Sequence, residues 1–253
     1  MTAGTRIAHL SDLHLNGGRD RFGRLCACLS QADIKWDARY LVLTGDLTAN
    51  GSGSEFAQLG HALEIAWPHA GTIVPGNHDV CDFPAMAARH LSRFATPAHG
   101  PVELGEGGAL VVGLDTRYPG RVPLFGALGR VGARQMGLLR LLAASGTRGG
   151  KGHVLLAMHH GPQKTPLGYF DGLTDRKEVL RILHGAPHIS ALCGHDHRAL
   201  DLGQVHAAPS VATAKGDPLR IYDLTAEGLF PVYTAPGPGE YVSRVRLPAR
   251  SLP

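Results

Sequence analysis

Charge is scarce in this chain. Of its 253 residues, 18% are Asp, Glu, Lys or Arg, and 6% are aromatic. Lys and Arg together exceed Asp and Glu by four. That excess is spread along the chain, and no basic run is long enough to form a nucleic-acid-binding arm. No apolar run approaches the roughly 20 residues of a membrane span. The opening residues, Met1 to Ile7, lack the apolar core and small-residue cleavage site of a secretory leader. Four cysteines do not make a disulfide framework at this length. Cys26 and Cys28 fall two apart within an expected helix and point to different faces, and all four cysteines are expected to be free thiols in a reducing compartment. Disorder is excluded, because a 43% hydrophobic share goes with a small net charge. The expectation is a soluble, cytoplasmic globular protein with a proper core.

Short apolar runs alternate with longer amphipathic segments, which predicts an α/β fold. Strands are expected at 6–10, 40–43, 71–75, 110–114, 154–158 and 189–193. Helices are expected at 20–34, 54–66, 83–94, 133–144 and 174–183. After His197 the texture changes. The runs at 200–206, 210–213, 219–224 and 230–233 read as short strands without intervening helices, forming an antiparallel set. Residues 1–234 are read as one domain, and 235–253 as a tail containing Pro and Arg.

Histidine is abundant, at fifteen residues, and its placement is informative. Five expected strands end in polar clusters: Ser11 to His14, Thr44 to Asp46, Pro75 to Asp79, Met158 to His160, and Gly194 to His197. Ligands of open α/β sheets bind beyond the carboxyl ends of the strands, so these ends would gather Asp, Asn and His in one place. Such nitrogen and oxygen donors suit Mn, Fe or Zn. Seven or eight donors are too many for one ion, because a catalytic zinc uses three protein ligands plus water. Two ions about 3.5–4 Å apart that share a carboxylate would clamp the attacking and leaving oxygens of an in-line displacement at phosphorus. Glycines at 45, 76 and 194 would let the backbone turn and approach closely.

Asp12 and His14, Gly45-Asp46, the run from Gly76 to Asp79, His159, and Gly194-His195 with His197 resemble the calcineurin-like metallophosphoesterases, over about residues 6–215. Finer features are similar to one branch, the class III cyclic nucleotide phosphodiesterases and related bacterial glycerophosphodiesterases. These are the run from His9 to His14, Gly45 to Thr48 followed by Gly51, Glu55 and Phe56, and Val74 to Asp79. Leu114 to Thr116 with Pro119 and Gly120, the helix carrying Gln135, and Met158 to His160 with Pro162 belong to the same pattern. That branch has two prolines after the paired histidines, and Gly161 stands here in place of the first.

The resemblance implies a four-layer α/β/β/α sandwich with the site at one edge. It implies that Asp12, His14 and His197 hold one metal, that Asn77, His159 and His195 hold another, and that Asp46 bridges them. The nucleophile implied is a hydroxide between the ions, made acidic by the metals. His78 is implied to be a general acid or electrostatic stabiliser oriented by Asp79. A related branch, the UDP-diacylglucosamine pyrophosphatases, carries Arg in this place. Arg cannot act as an acid near neutral pH, whereas His can.

Specificity is expected from loops over the metals. The candidate substrate contacts are Asn16, Arg117, Tyr169 and His160, with Phe170, Gln163 and Lys164 in the loop 162–171. His160 is read as either a substrate contact or a support behind the ligands, His9 as a support, and Asp196 as pointing away from the site. The remaining histidines are read as ordinary surface or core residues. The function expected is hydrolysis of small phosphodiesters, 3′,5′-cyclic nucleotides among them. No nucleic-acid partner is expected, and a homodimer stays open. The competing readings are a nuclease, a nucleotide-sugar or lipid pyrophosphatase, and a non-catalytic scaffold. The first lacks a basic stripe, the second an apolar insertion for acyl chains, and the third the loss of ligands that usually marks such proteins.

Overall fold

The computed structural model describes residues 4–104, 108–118, 127–146, 152–164 and 171–234. In chain order the elements are β1 (Thr5–Leu10), α1 (Arg19–Ser30), β2 (Tyr40–Thr44), α2 (Gly53–Ala66), β3 (Gly71–Val74), α3 (Phe83–His90), β4 (Val102–Leu104) and β5 (Ala109–Gly113). There follow α4 (Gly132–Ser145), β6 (Val154–Ala157), α5 (Arg176–Gly185), β7 (Ile189–Cys193), β8 (Leu200–Leu202), β9 (Val205–Ala207), β10 (Arg220–Leu224) and β11 (Leu229–Thr234). One sheet has the order β11-β10-β1-β2-β3 and the other β4-β5-β6-β7-β9-β8. The strands β1, β2 and β3 run parallel, as do β5, β6 and β7.

Side-chain alternation along these strands builds four layers, because successive residues point to opposite faces. Leu41 and Leu43 pack with Leu25, Leu29, Phe56 and Leu59 of α1 and α2. Between them, Tyr40 and Val42 pack with Val111, Leu155 and Leu192 of the opposite sheet. Val154 and Leu156 in turn face Met136 and Leu139 of α4 and Val179 and Leu183 of α5. The result is helices, sheet, sheet, helices. α2 begins at Ser52, whose hydroxyl takes the Glu55 N–H while the Glu55 carboxylate accepts from the Ser52 N–H, satisfying donors the helix leaves open. Glu55 also accepts from both nitrogens of Asn50, so its place in the motif is structural.

Four expectations need correction. The segments after His197 are not one antiparallel set. β10 and β11 extend the first sheet, whereas β8 and β9 extend the second, with β9 parallel to β7. The run 200–206 is broken at Gly203, whose φ of +58° folds it into a hairpin. Past an isolated bridge of Ser210 to Ser11, residues 211–213 form a turn, not a strand, in which the Ser210 hydroxyl accepts from Thr213 N–H and donates to the Asp12 carbonyl. β4 was not expected from the sequence, and α3 ends at His90 rather than 94. The four cysteines are free. Among the described residues no helix is long and apolar enough to cross a membrane. Pro119, Gly120, Tyr169, Phe170 and the tail 235–253 lie outside the described residues.

Candidate metal centre

The loops after β1 and β2 run side by side beyond the strand ends. Asp12 N–H donates to the Gly45 carbonyl, His14 N–H to that of Asp46, and Leu15 N–H to that of Leu47. Against them lie the loops after β3, β6 and β7. Close approach of these loops depends on two glycines. A Cβ at Gly76 would stand 2.3 Å from Asp46 Oδ1, and one at Gly194 would stand 1.8 Å from Ser11 Oγ. Six non-glycine residues have positive φ among those described. Five of them are Asp12, His14, Asp46, His195 and His197. Each costs about 1–2 kcal/mol as left-handed backbone, and such strain gathers at functional sites.

The donor atoms converge. His14 Nε2 and His197 Nε2 face each other at 3.3 Å. Asp12 Oδ1 lies 3.1 Å from His197 Nε2 and 4.0 Å from His14 Nε2. Asp46 is central, with one oxygen 3.7 Å from His14 Nε2 and the other 3.4 Å from His159 Nε2. Asn77 Oδ1 is 3.2 Å from His159 Nε2. Ligands about 2.1 Å from a common ion stand roughly 3.0–3.4 Å apart when adjacent and about 4.2 Å when opposite, which spans these distances. Asp12 Oδ1 is buried without a hydrogen-bond partner, as expected of an atom reserved for a cation. His159 donates from Nδ1 to the Thr44 carbonyl at 2.7 Å. His195 places Nε2 on the Asp171 carbonyl at 2.5 Å, which leaves its Nδ1 for the centre. Imidazole held by a carbonyl on one nitrogen is how metal-binding histidines are oriented.

The family model for calcineurin-like phosphoesterases matches residues 5–199. The chain belongs to this family. Its members are dimetal-dependent hydrolases of phosphoesters, and the donor set described above fits that requirement. Among solved structures, the chain is similar to a dimetal phosphatase from Danio rerio, with a TM-score of 0.70 and 13% identity over 90% of this chain and 96% of that one. It is also similar to TT1561 of Thermus thermophilus, at TM-score 0.59 and 16% identity over 90% and 98%. A third is GAP50, the anchor in the inner membrane complex of Plasmodium, at TM-score 0.62 and 11% identity over 90% and 83%. At these identities the likeness establishes the fold. No curated protein matches the sequence.

The electrostatics of this phosphoesterase centre call for positive charge. Burial alone would raise the Asp46 carboxyl and lower the His159 imidazole. The attraction between them, 3.4 Å apart, overrides both, holding Asp46 well below the usual carboxylate range and pushing His159 up to about 10. Without a cation, a proton on His159 neutralises Asp46. Burial lowers His14 and His195 below the ordinary histidine value, keeping them as neutral donors. The Asp12 carboxylate, 3.1 Å from His197 Nε2, raises His197.

Other expected site residues fall in varied places. His78 is exposed at the rim. Its Nδ1 lies 3.0 Å from the Ala49 carbonyl, its ring meets that of His14 edge-on at 4.7 Å, and its N–H donates to Asp46 Oδ1 at 2.8 Å. Asp79 does not orient His78. Its fully buried carboxylate accepts from Leu47 N–H, Thr48 N–H, Thr48 Oγ1 and Gly76 N–H, tying the loops after β2 and β3 together. Burial and the nearby Asp46 charge push it up to about 6 against those donors. Arg117 does not reach into the centre. It forks onto Asp115 and donates to the carbonyls of Asp79 and Cys81, bracing the segment after His78. Asn16 is exposed and accepts from Gly18 N–H. His160 is fully buried against His159 and His195, with Nδ1 on Thr116 Oγ1, a position behind the ligands rather than at the surface. His9 bonds Thr44 Oγ1 through Nε2. The Ser11 hydroxyl donates to the Thr44 carbonyl, which also takes the His159 Nδ1–H, and the Ser210 hydroxyl donates to the Asp12 carbonyl; no spacing signal in the sequence marks Ser210.

Proposed function

We propose that the protein is a binuclear-metal phosphodiesterase hydrolysing small phosphodiesters, with 3′,5′-cyclic nucleotides among the candidates. Asp12, His14 and His197 would hold one cation, Asn77, His159 and His195 the other, and Asp46 would serve both. Mn, Fe and Zn all accept these donors. When bound, two such cations supply Lewis-acid stabilisation of phosphoryl charge and an acidified water for attack. Asp46 is kept in place by the His78 N–H.

The observation that carries the diester reading is the exposed imidazole of His78 beside His14 and Asp46. With Nδ1 on the Ala49 carbonyl, Nε2 is the nitrogen free to face substrate. The leaving group of a diester is an alkoxide, which, unlike the phosphate released from a pyrophosphate, needs a proton as the P–O bond breaks. A doubly protonated imidazole, with Nδ1–H on the carbonyl and a second proton on Nε2, supplies one. Nε2–H therefore passes its proton to the departing ester oxygen, and water restores it.

The test compares hydrolysis of bis(p-nitrophenyl) phosphate and p-nitrophenyl phosphate by metal-stripped protein reloaded with Mn²⁺. A faster, metal-requiring diester reaction supports the proposal and makes cyclic AMP the next substrate. Faster monoester turnover overturns the diester reading. Turnover of neither, with two metals bound, points to a selective pyrophosphatase or a scaffold.

A further inference from the structure

The turn that carries His195 and His197 is strained, and its backbone is tied by Gly194 N–H to the His159 carbonyl and by His195 N–H to Asp12 Oδ2. Both histidines have positive φ, at +71° and +55°. Asp196, between them, closes the turn with its N–H on the Gly194 carbonyl. Its carboxylate points away from the centre, to Gln163, whose Nε2 donates to Asp196 Oδ2 at 3.0 Å. Gln163 belongs to the loop that also carries His159. It is 5% exposed, an unusual place for a glutamine, and both ends of its amide are used. Its Oε1 takes the Cys193 thiol at 3.6 Å, immediately before the turn. Reversing the amide would set its oxygen against the Asp196 carboxylate, so this orientation alone satisfies both partners. Room for the amide is made at Gly161, where a Cβ would stand 2.0 Å from Gln163 Oε1 and 2.6 Å from Cys193 Sγ.

We propose that Gln163 is a positioning residue for the metal centre. It latches the His195–His197 turn, through Asp196, to the loop bearing His159, so that imidazoles from two strands keep the separation a cation requires. The inference rests on the proposed metal assignment and adds to it a residue that touches neither metal nor substrate. Partners behind metal ligands typically contribute 10–100-fold to affinity.

The experiment measures Mn²⁺ binding to metal-stripped full-length protein by calorimetry, independently of turnover, with thermal melting as the check on folding. Gln163→Glu sets a second carboxylate against Asp196 while keeping size and the acceptor for Cys193. It should weaken Mn²⁺ binding about tenfold or more. Adding Asp196→Asn restores a donor–acceptor pair and should recover affinity. Unchanged binding in Gln163→Glu overturns the latch, and so does a loss that Asp196→Asn does not rescue, which would indicate a packing role only. If Gln163→Glu does not fold, Asp196→Ala replaces it, with weakened binding supporting the latch and unchanged binding overturning it. Absence of Mn²⁺ uptake by the unmutated protein overturns the metal assignment itself, and the latch with it.

Discussion

Cation uptake should expel a proton from His159. In the metal-free protein this ring is held protonated up to about pH 10, because the Asp46 carboxylate outweighs the cost of burial. Its Nδ1 remains on the Thr44 carbonyl, so the proton that must leave is on Nε2, facing Asp46 and Asn77. At pH 8 the ring is almost fully protonated, while His14 and His195, both lowered, are neutral. Filling the centre at pH 8 should therefore release at least about one proton, with His197, also raised, adding to that from His159, and affinity should rise at least about tenfold per pH unit until His159 titrates. The distance from 6.5 to about 10 corresponds to at most roughly 5 kcal/mol of preference for the protonated ring. A histidine whose folded value is raised stabilises fully below about 6.5 and loses that contribution as pH climbs through about 10. The metal-free protein should accordingly melt at lower temperature as pH rises from 7 to 10. The assay is calorimetric titration with Mn²⁺ at pH 8 in two buffers of different ionisation enthalpy. Asp46→Asn is the control: the main attraction that raises His159 is removed, so proton release per Mn²⁺ bound should fall. Heat that does not depend on the buffer in the unmutated protein, or proton release unchanged by Asp46→Asn, would refute the reasoning.

His78→Ala should leave Mn²⁺ stoichiometry intact, since only its N–H touches Asp46, and slow diester turnover by about 10²–10⁴-fold; loss of metal would remove the acid role assigned to it. Asp79→Ala strands four donors on two loops and should destabilise the fold by about 3 kcal/mol or more, read as a lower denaturation midpoint. Gly194→Ala drives a methyl group into Ser11 and Asp12 and should weaken Mn²⁺ binding by at least about tenfold, measured by chelator competition.

Much of the centre was readable because its donors lie at strand ends, each directly after an apolar run, and strand ends are fixed by local alternation. Asp12, Asp46, Asn77, His159 and His195 could be placed near one another on that ground alone. The partners of those side chains were harder to read. Asp79 and Arg117 look like chemistry in the sequence, being a carboxylate after the Asn77-His78 pair and a cation in a loop. Yet, besides nearer partners, Asp79 ties to backbone 32 positions away and Arg117 to backbone 38 positions away, and such pairings leave no periodic trace. The C-terminal strands were recognised as strands but assigned to one set, because local alternation does not say which of two sheet edges a strand will pair with.

The sequence by itself determined the α/β alternation and the donor types at the strand ends, because side-chain periodicity and residue chemistry are local properties. The tertiary structure decided the rest. It divided the last four strands between two sheets, moved Asp79 and Arg117 from the reaction to the framework, and set Gln163 behind the His195–His197 turn. The physical reason is that hydrogen bonds to buried backbone and side chains must be satisfied by whatever lies adjacent in space, and adjacency between the two sheets exists only once both have folded.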